Sequence, residues 1–241
     1  MLWSNVNNWS NGIPNISSAK VILNDSLIID KDVEIAQIKL PGGFGSVHVS
    51  SIDNKSLTLN GTGVNAVIQN NGSNVDLRFE LDIKIRSNDS IEAIQVNAGG
   101  SSRIIFRKGS SLDSDRLISI TAGGDKYVMI NDILSSSGLF GGGVTVMPGS
   151  KLVFGENASN KDYSTYFTLL GNAELISRIP EEDFFVKSDF YIKSLDRNNK
   201  GLPNVVTVEN GYTMRGSLMV DSVDLILNLH ASQPVSYTHL T

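Results

Sequence analysis

Residues Gly138–Leu175 read GLFGGGVTVMPGSKLVFGENASNKDYSTYFTLLGNAEL. In order, they spell a glycine turn, a short strand, a Pro-Gly turn, a strand, a polar loop, a strand, a glycine turn and a strand. Each strand is too short to bury a core alone. Such a pattern becomes stable when strands stack on copies of themselves, each rung covering the apolar face of the next, as in a β-solenoid.

The rest of the chain keeps that rhythm. Short apolar runs such as Val21–Leu23, Leu27–Ile29, Val33–Leu40, Val47–Ile52, Leu57–Leu59 and Val64–Ile68 recur about every ten residues. Asn24-Asp25, Gly42-Gly43, Asn60-Gly61, Asn71-Gly72, Gly99-Gly100, Gly123-Gly124 and Pro148-Gly149 punctuate them. Between Val75 and Ile85 every odd position is apolar and every even one charged, the period of a strand with one face buried and one in water. A coil of about 20–25 residues would hold two or three strands, so about ten coils would use the chain. Asn-Gly between strands can also close a hairpin, which makes a β-sandwich the competing all-β architecture.

Composition agrees with many short strands. The 241 residues are 40% hydrophobic and only 19% charged, with Asn, Ser and Gly making up the difference. Net charge is −5 and the one small basic cluster, Arg103, Arg107 and Lys108, flanks a strand, so nucleic acid is a poor partner. The absence of cysteine removes disulfides and thiolate chemistry. No apolar run reaches the length of a membrane span, and MLWSNVNNWS lacks the basic and apolar regions of a signal peptide.

One domain is expected over residues 1–235, with a looser loop or elaborated coil at 179–204, where a helical turn is plausible. Residues 236–241, SYTHLT, break the pattern and read as a non-native tail.

The search for chemistry returns little. Among three histidines, His48 alternates with Val47 and Val49 and points outward from a strand, His230 stands alone, and His239 falls in the tail. Two credible histidines and no thiol do not make a zinc site. Asp113, Asp115 and Arg116 read as a polar turn. The densest acidic group is Glu181, Glu182 and Asp183, beside Phe184, Phe185, Phe190 and Tyr191. Of these, Glu181, Glu182, Asp183, Phe184 and Tyr191 are the candidate carbohydrate contacts; adjacent carboxylates on a loop rarely reach the separations glycosidases use. Trp3, Trp9, Tyr163 and Tyr166 could stack on sugars, but the two tryptophans are better placed to cap the open end of a solenoid. No catalytic, cofactor-binding or metal-ligating residue emerges.

Three segments resemble bacterial proteins with autotransporter-associated β-strand repeats. They are Trp3-x5-Trp9 with Gly12-Ile13-Pro14; Leu57-Thr58-Leu59-Asn60-Gly61-Thr62-Gly63 with Ala66-Val67-Ile68-Gln69-Asn70-Asn71-Gly72; and Gly143 to Asn157, running on to Leu175. In the last, Met147-Pro148 replaces the usual lysine-containing turn and Lys151 stands where Thr is usual. The resemblance implies a right-handed parallel β-helix, secreted or displayed at the outer-membrane surface, serving as a stalk or adhesin-like passenger. It carries over no catalytic residue. Surface glycans or host and matrix proteins are the partners it suggests. The alternatives are a carbohydrate-active β-helix enzyme, lyase or hydrolase, built on the acidic-aromatic loop, and a tail-spike-like fibre.

Overall fold

The computed structural model describes residues 1–42, 45–60, 66–86, 92–97, 100–107, 109–114, 117–131, 133–136, 143–160, 166–178, 191–195, 203–209, 218–221 and 225–229. Among them are twenty-four strands and a single 3-10 turn, Val6–Asn8.

The strands come in rungs. The first is β1 (Lys20–Ile22), β2 (Leu27–Ile29) and β3 (Val33–Ile35), followed by β4 (Gln37–Leu40), β5 (Gly45–Ser51) and β6 (Leu57–Leu59). The third is β7 (Val67–Asn70), β8 (Val75–Glu80) and β9 (Asp82–Ile85), and the fourth β10 (Glu92–Val96), β11 (Arg103–Phe106) and β12 (Ser111–Ser114). Then come β13 (Leu117–Thr121), β14 (Tyr127–Ile130) and β15 (Ile133–Ser136), and β16 (Gly143–Val146), β17 (Lys151–Phe154) and β18 (Ser159–Asn160). Three rungs of two described strands complete the series: β19 (Tyr166–Leu170) with β20 (Glu174–Ser177), β21 (Tyr191–Leu195) with β22 (Asn204–Val208), and β23 (Leu218–Asp221) with β24 (Leu225–Leu229).

Every strand pairs with its counterpart one rung away, and every such pairing is parallel. Face I carries nine strands from β1 to β23, face II nine from β2 to β24, and face III six from β3 to β18. The chain is a parallel β-solenoid. A sandwich is not what forms, because β6 pairs in parallel with β3 and β9. Nine rungs about 4.8 Å apart make a stack about 40 Å long. Register partners lie 23 residues apart at Val144 and Phe167 and 31 apart at Glu174 and Val205, so the coil is longer and less regular than the sequence rhythm suggests.

The interior is built from columns of like residues. Val21, Ile38, Ile68, Ile94, Ile120, Val146 and Leu169 follow one another down face I, all buried. Leu27, Val49, Phe79, Phe106, Ile130 and Phe154 do so down face II. Face III contributes Val33, Leu57, Ile83, Leu112 and Leu134. Phe79 and Phe106 stack with ring centroids 5.4 Å apart. Burial of each such side chain favours the fold by about 1.5–3 kcal/mol.

Two long apolar runs turn out to be pairs of strands. Val75–Ile85 divides into β8 on face II and β9 on face III, with buried Leu81 at the corner. Val33–Leu40 divides into β3 and β4 around buried Ala36. Inside-outside alternation continues through Leu81, so that bend leaves no mark in the pattern, whereas at Ala36 the phase shifts and Ile35, Ala36, Gln37 and Ile38 are buried in succession. Other corners depend on specific polar groups. Asn70 is fully buried: its Nδ2 donates to the Val75 carbonyl at 2.8 Å and the Arg103 carbonyl at 2.9 Å, while its Oδ1 accepts the Gly72 amide at 2.9 Å. Asn204 fills a similar role, its Oδ1 accepting the Ala173 amide at 2.9 Å. These bonds satisfy backbone groups that burial would otherwise leave unpaired. At the Pro148-Gly149 turn, Gly149 adopts φ +70°, and its amide donates to the Gly171 carbonyl of the next rung.

Candidate functional site

The first aromatic candidates belong to the end of the rod. Met1–Trp3 extends face II by one short strand: Leu2 bridges Ile28 in parallel, the Trp3 amide donates to the Ile28 carbonyl, and the Ile28 amide donates to the Met1 carbonyl. Trp3 is wholly buried beneath the first rung and its indole Nε1 donates to the Pro14 carbonyl at 3.1 Å. The half-buried Trp9 packs 4.8 Å from the Trp3 ring and donates from Nε1 to the Trp3 carbonyl at 2.7 Å. Trp3 is therefore a cap and cannot stack on a sugar. Ser4 fastens this segment to the rod by bonding Asp30 through its hydroxyl and amide, and the hydroxyl bond above all holds the Asp30 carboxyl below its ordinary range.

The charged candidates belong mostly to rung-to-rung ties. Arg103 projects from β11 over Asp76 of β8, donating from Nε and Nη2 at 2.6 Å each. Its Nη1 reaches the Tyr127 hydroxyl at 3.0 Å, and the guanidinium lies 5.6 Å from the Tyr127 ring centroid. Arg78 donates to the same carboxylate at 2.7 Å. Asp76 is only 5% exposed although it sits on the outward register of its strand. Burial pushes its carboxyl upward, but the bonds from Arg103 and Arg78 outweigh that and hold it below the usual carboxylate range. The bond to Asp76 likewise raises the Arg103 guanidinium further above its already high value.

Similar links join Arg107 to Glu80, Arg86 to Asp113, Lys151 to Glu174 and Arg178 to Glu209, each to a neighbouring rung. Two members of the basic cluster, Arg103 and Arg107, are thus engaged within the rod rather than free for phosphate; Lys108 lies outside the described residues. Asp113 is taken up by its tie to Arg86. Asp115 and Arg116 lie outside the described residues. His48 projects outward from β5, in register with Arg78, as its alternation with valine implies.

Of the candidate carbohydrate contacts, Glu181, Glu182, Asp183 and Phe184 lie outside the described residues, as do Tyr163, His230 and residues 236–241. Tyr191 opens β21 in parallel register with Tyr166 of β19, so the backbone of part of the 179–204 segment is an ordinary rung strand. Among the described residues no three His, Asp or Glu side chains gather as metal ligands. No described helix is long and apolar enough to cross a membrane.

What sequence reasoning missed is the cross-rung ties. The signal was the 27-residue spacing of Asp76 and Arg103, which has meaning only once the rung register is known. No family model, curated protein or solved structure matches the chain.

Proposed function

We propose that this chain is a load-bearing β-solenoid stalk of a bacterial secreted or cell-surface protein, an adhesin-like passenger without catalysis of its own. The observation that carries the reading is the unbroken parallel register of two nine-stranded faces. Backbone hydrogen bonds in a parallel ladder run along the rod axis, so extension of the rod works against all faces together. Aliphatic columns inside and ion pairs outside reinforce the same axis. Loops projecting from such a scaffold supply recognition, and the acidic-aromatic stretch at 179–204 is the one whose composition suits surface glycans or matrix proteins. The autotransporter-repeat likeness of Trp3–Pro14, Leu57–Gly72 and Gly143–Leu175 supports the same assignment.

The test is display. Residues 1–235 are placed between a secretory signal peptide and an outer-membrane autotransporter barrel, and intact cells are treated with protease. The proposal expects the chain at the surface, releasable as a folded fragment. Retention of a degraded chain in the periplasm would contradict it.

A further inference from the structure

The middle of face I differs from the rest of the rod in its charge. Strands β7, β13, β16 and β19 contain no Asp, Glu, Lys or Arg. In β10, which lies between β7 and β13, the one charged residue is Glu92, in register with the inward Ile118. Alternation sends Ile120, Val146 and Leu169 into the core and leaves Thr121, Thr145 and Thr168 partly exposed outside. Ser119, Thr145 and Thr168 form one column over three successive rungs. The other two faces are charged beside this stretch: face II on β8, β11, β17 and β20, and face III on β9 and β12.

A charge-free sheet surface has a particular physical consequence. The cores of protein interfaces are depleted in charge, and two sheets pack face to face about 10 Å apart through interdigitating side chains. A two-fold contact sets residues near its axis against their own copies. On a chain of net charge −5, a neutral face can meet itself without opposing like charges. From β7 to β19 the stretch spans four rung spacings, about 19 Å, by about 13 Å of strand. That footprint is well below the roughly 800 Å² per partner of a stable complex, so it fits a weak, concentration-dependent contact.

We propose that the neutral outer side of face I, centred on Thr145, is a self-association surface. A second copy of the chain lays the same face against it, and the hydroxyl and methyl groups of Thr145 and Thr168 interleave with those of the copy. The contact contains no ion pair, so screening by salt leaves it intact.

The test is sedimentation equilibrium of the whole chain at concentrations up to about 1 mM. A monomer–dimer equilibrium is expected, with the same dissociation constant in low and high salt. Thr145→Arg brings a charge against its own copy and should weaken the dimer at least about tenfold. Thr168→Arg on the next rung should do the same, and it keeps the test open if T145R fails to fold. Thr207→Arg, at an outward position of face II, should leave association unchanged while far-UV circular dichroism shows all folded variants alike. A chain that stays monomeric throughout overturns the proposal, as does a dimer dissolved by salt or one weakened equally by T207R. A monomer retarded in native gels containing hydroxyethyl cellulose, with the retardation lost in T145R, would also overturn it and assign the face to a neutral glycan.

Discussion

Asp76 and Arg103 stand 27 residues apart in sequence and one rung apart in space, and the Arg103 guanidinium closes on the carboxylate through Nε and Nη2 at 2.6 Å each. The pair joins β8 to β11 on the outer surface of face II, where Arg78 and Tyr127 complete it. Most surface ion pairs contribute little, but this carboxylate is shielded and doubly paired.

Asp76→Asn should therefore lower stability by about 2 kcal/mol at neutral pH, the scale of hydrogen bonds to a charged group. The native carboxyl is held below its unfolded value, so the contribution is complete above about pH 4 and disappears as pH falls through the lower native value. Urea unfolding across pH 2–7 would show a weaker acid dependence in D76N than in the parent. Superimposable acid limbs would remove Asp76 from the account.

At Gly155 a side chain could be added only by displacing Asn131 of the neighbouring rung. A Cβ there would lie 2.7 Å from the Asn131 Cγ, and the Asn131 Oδ1 accepts the Asn157 amide at 3.2 Å. Gly155→Ala should cost about 1–3 kcal/mol through overpacking. In a double-mutant cycle, Asn131→Ala should recover part of that loss, with a coupling of at least about 0.5 kcal/mol. Strict additivity would mean that the two residues do not meet across the rungs.

Removal of the end cap should act locally before it acts globally. Trp3→Ala empties a large buried site and frees the Pro14 carbonyl, at a cost of about 3–5 kcal/mol. Because each rung touches only its neighbours, hydrogen-exchange protection should fall first in β1, β2 and β4 and last around Val128 and Leu152. A uniform loss along the rod would contradict nearest-neighbour stabilisation.

The architecture was largely readable in the chain because turn residues and short apolar runs are local signals. Gly149 and Asn172, both at positive φ, mark corners that their residue types announce. Leu81 was not readable as a corner, since alternation passes through it unchanged, whereas at Ala36 the alternation slips by one residue, with Ile35 and Ile38 both inside. The tie between Asp76 and Arg103 was hidden for a different reason: it depends on register between rungs, which no local pattern encodes. The capping role of Trp3 was legible because an exposed rung requires cover.

The central claim is the one-rung parallel register, and the cysteine-free chain allows it to be tested without background. Ser119 and Thr145 are paired on adjacent strands of face I, and Thr168 follows Thr145 one rung further on. Neighbouring parallel strands lie about 4.8 Å apart, within disulfide reach, whereas a two-rung separation of about 10 Å exceeds it. The measurement is the oxidative cross-linking yield of S119C/T145C beside S119C/T168C, read by mobility on a denaturing gel after mild oxidation. Near-complete cross-linking of the first pair and none of the second is the predicted result. Cross-linking of Ser119→Cys to Thr168→Cys in preference to Thr145→Cys would contradict the rung register and the solenoid built on it.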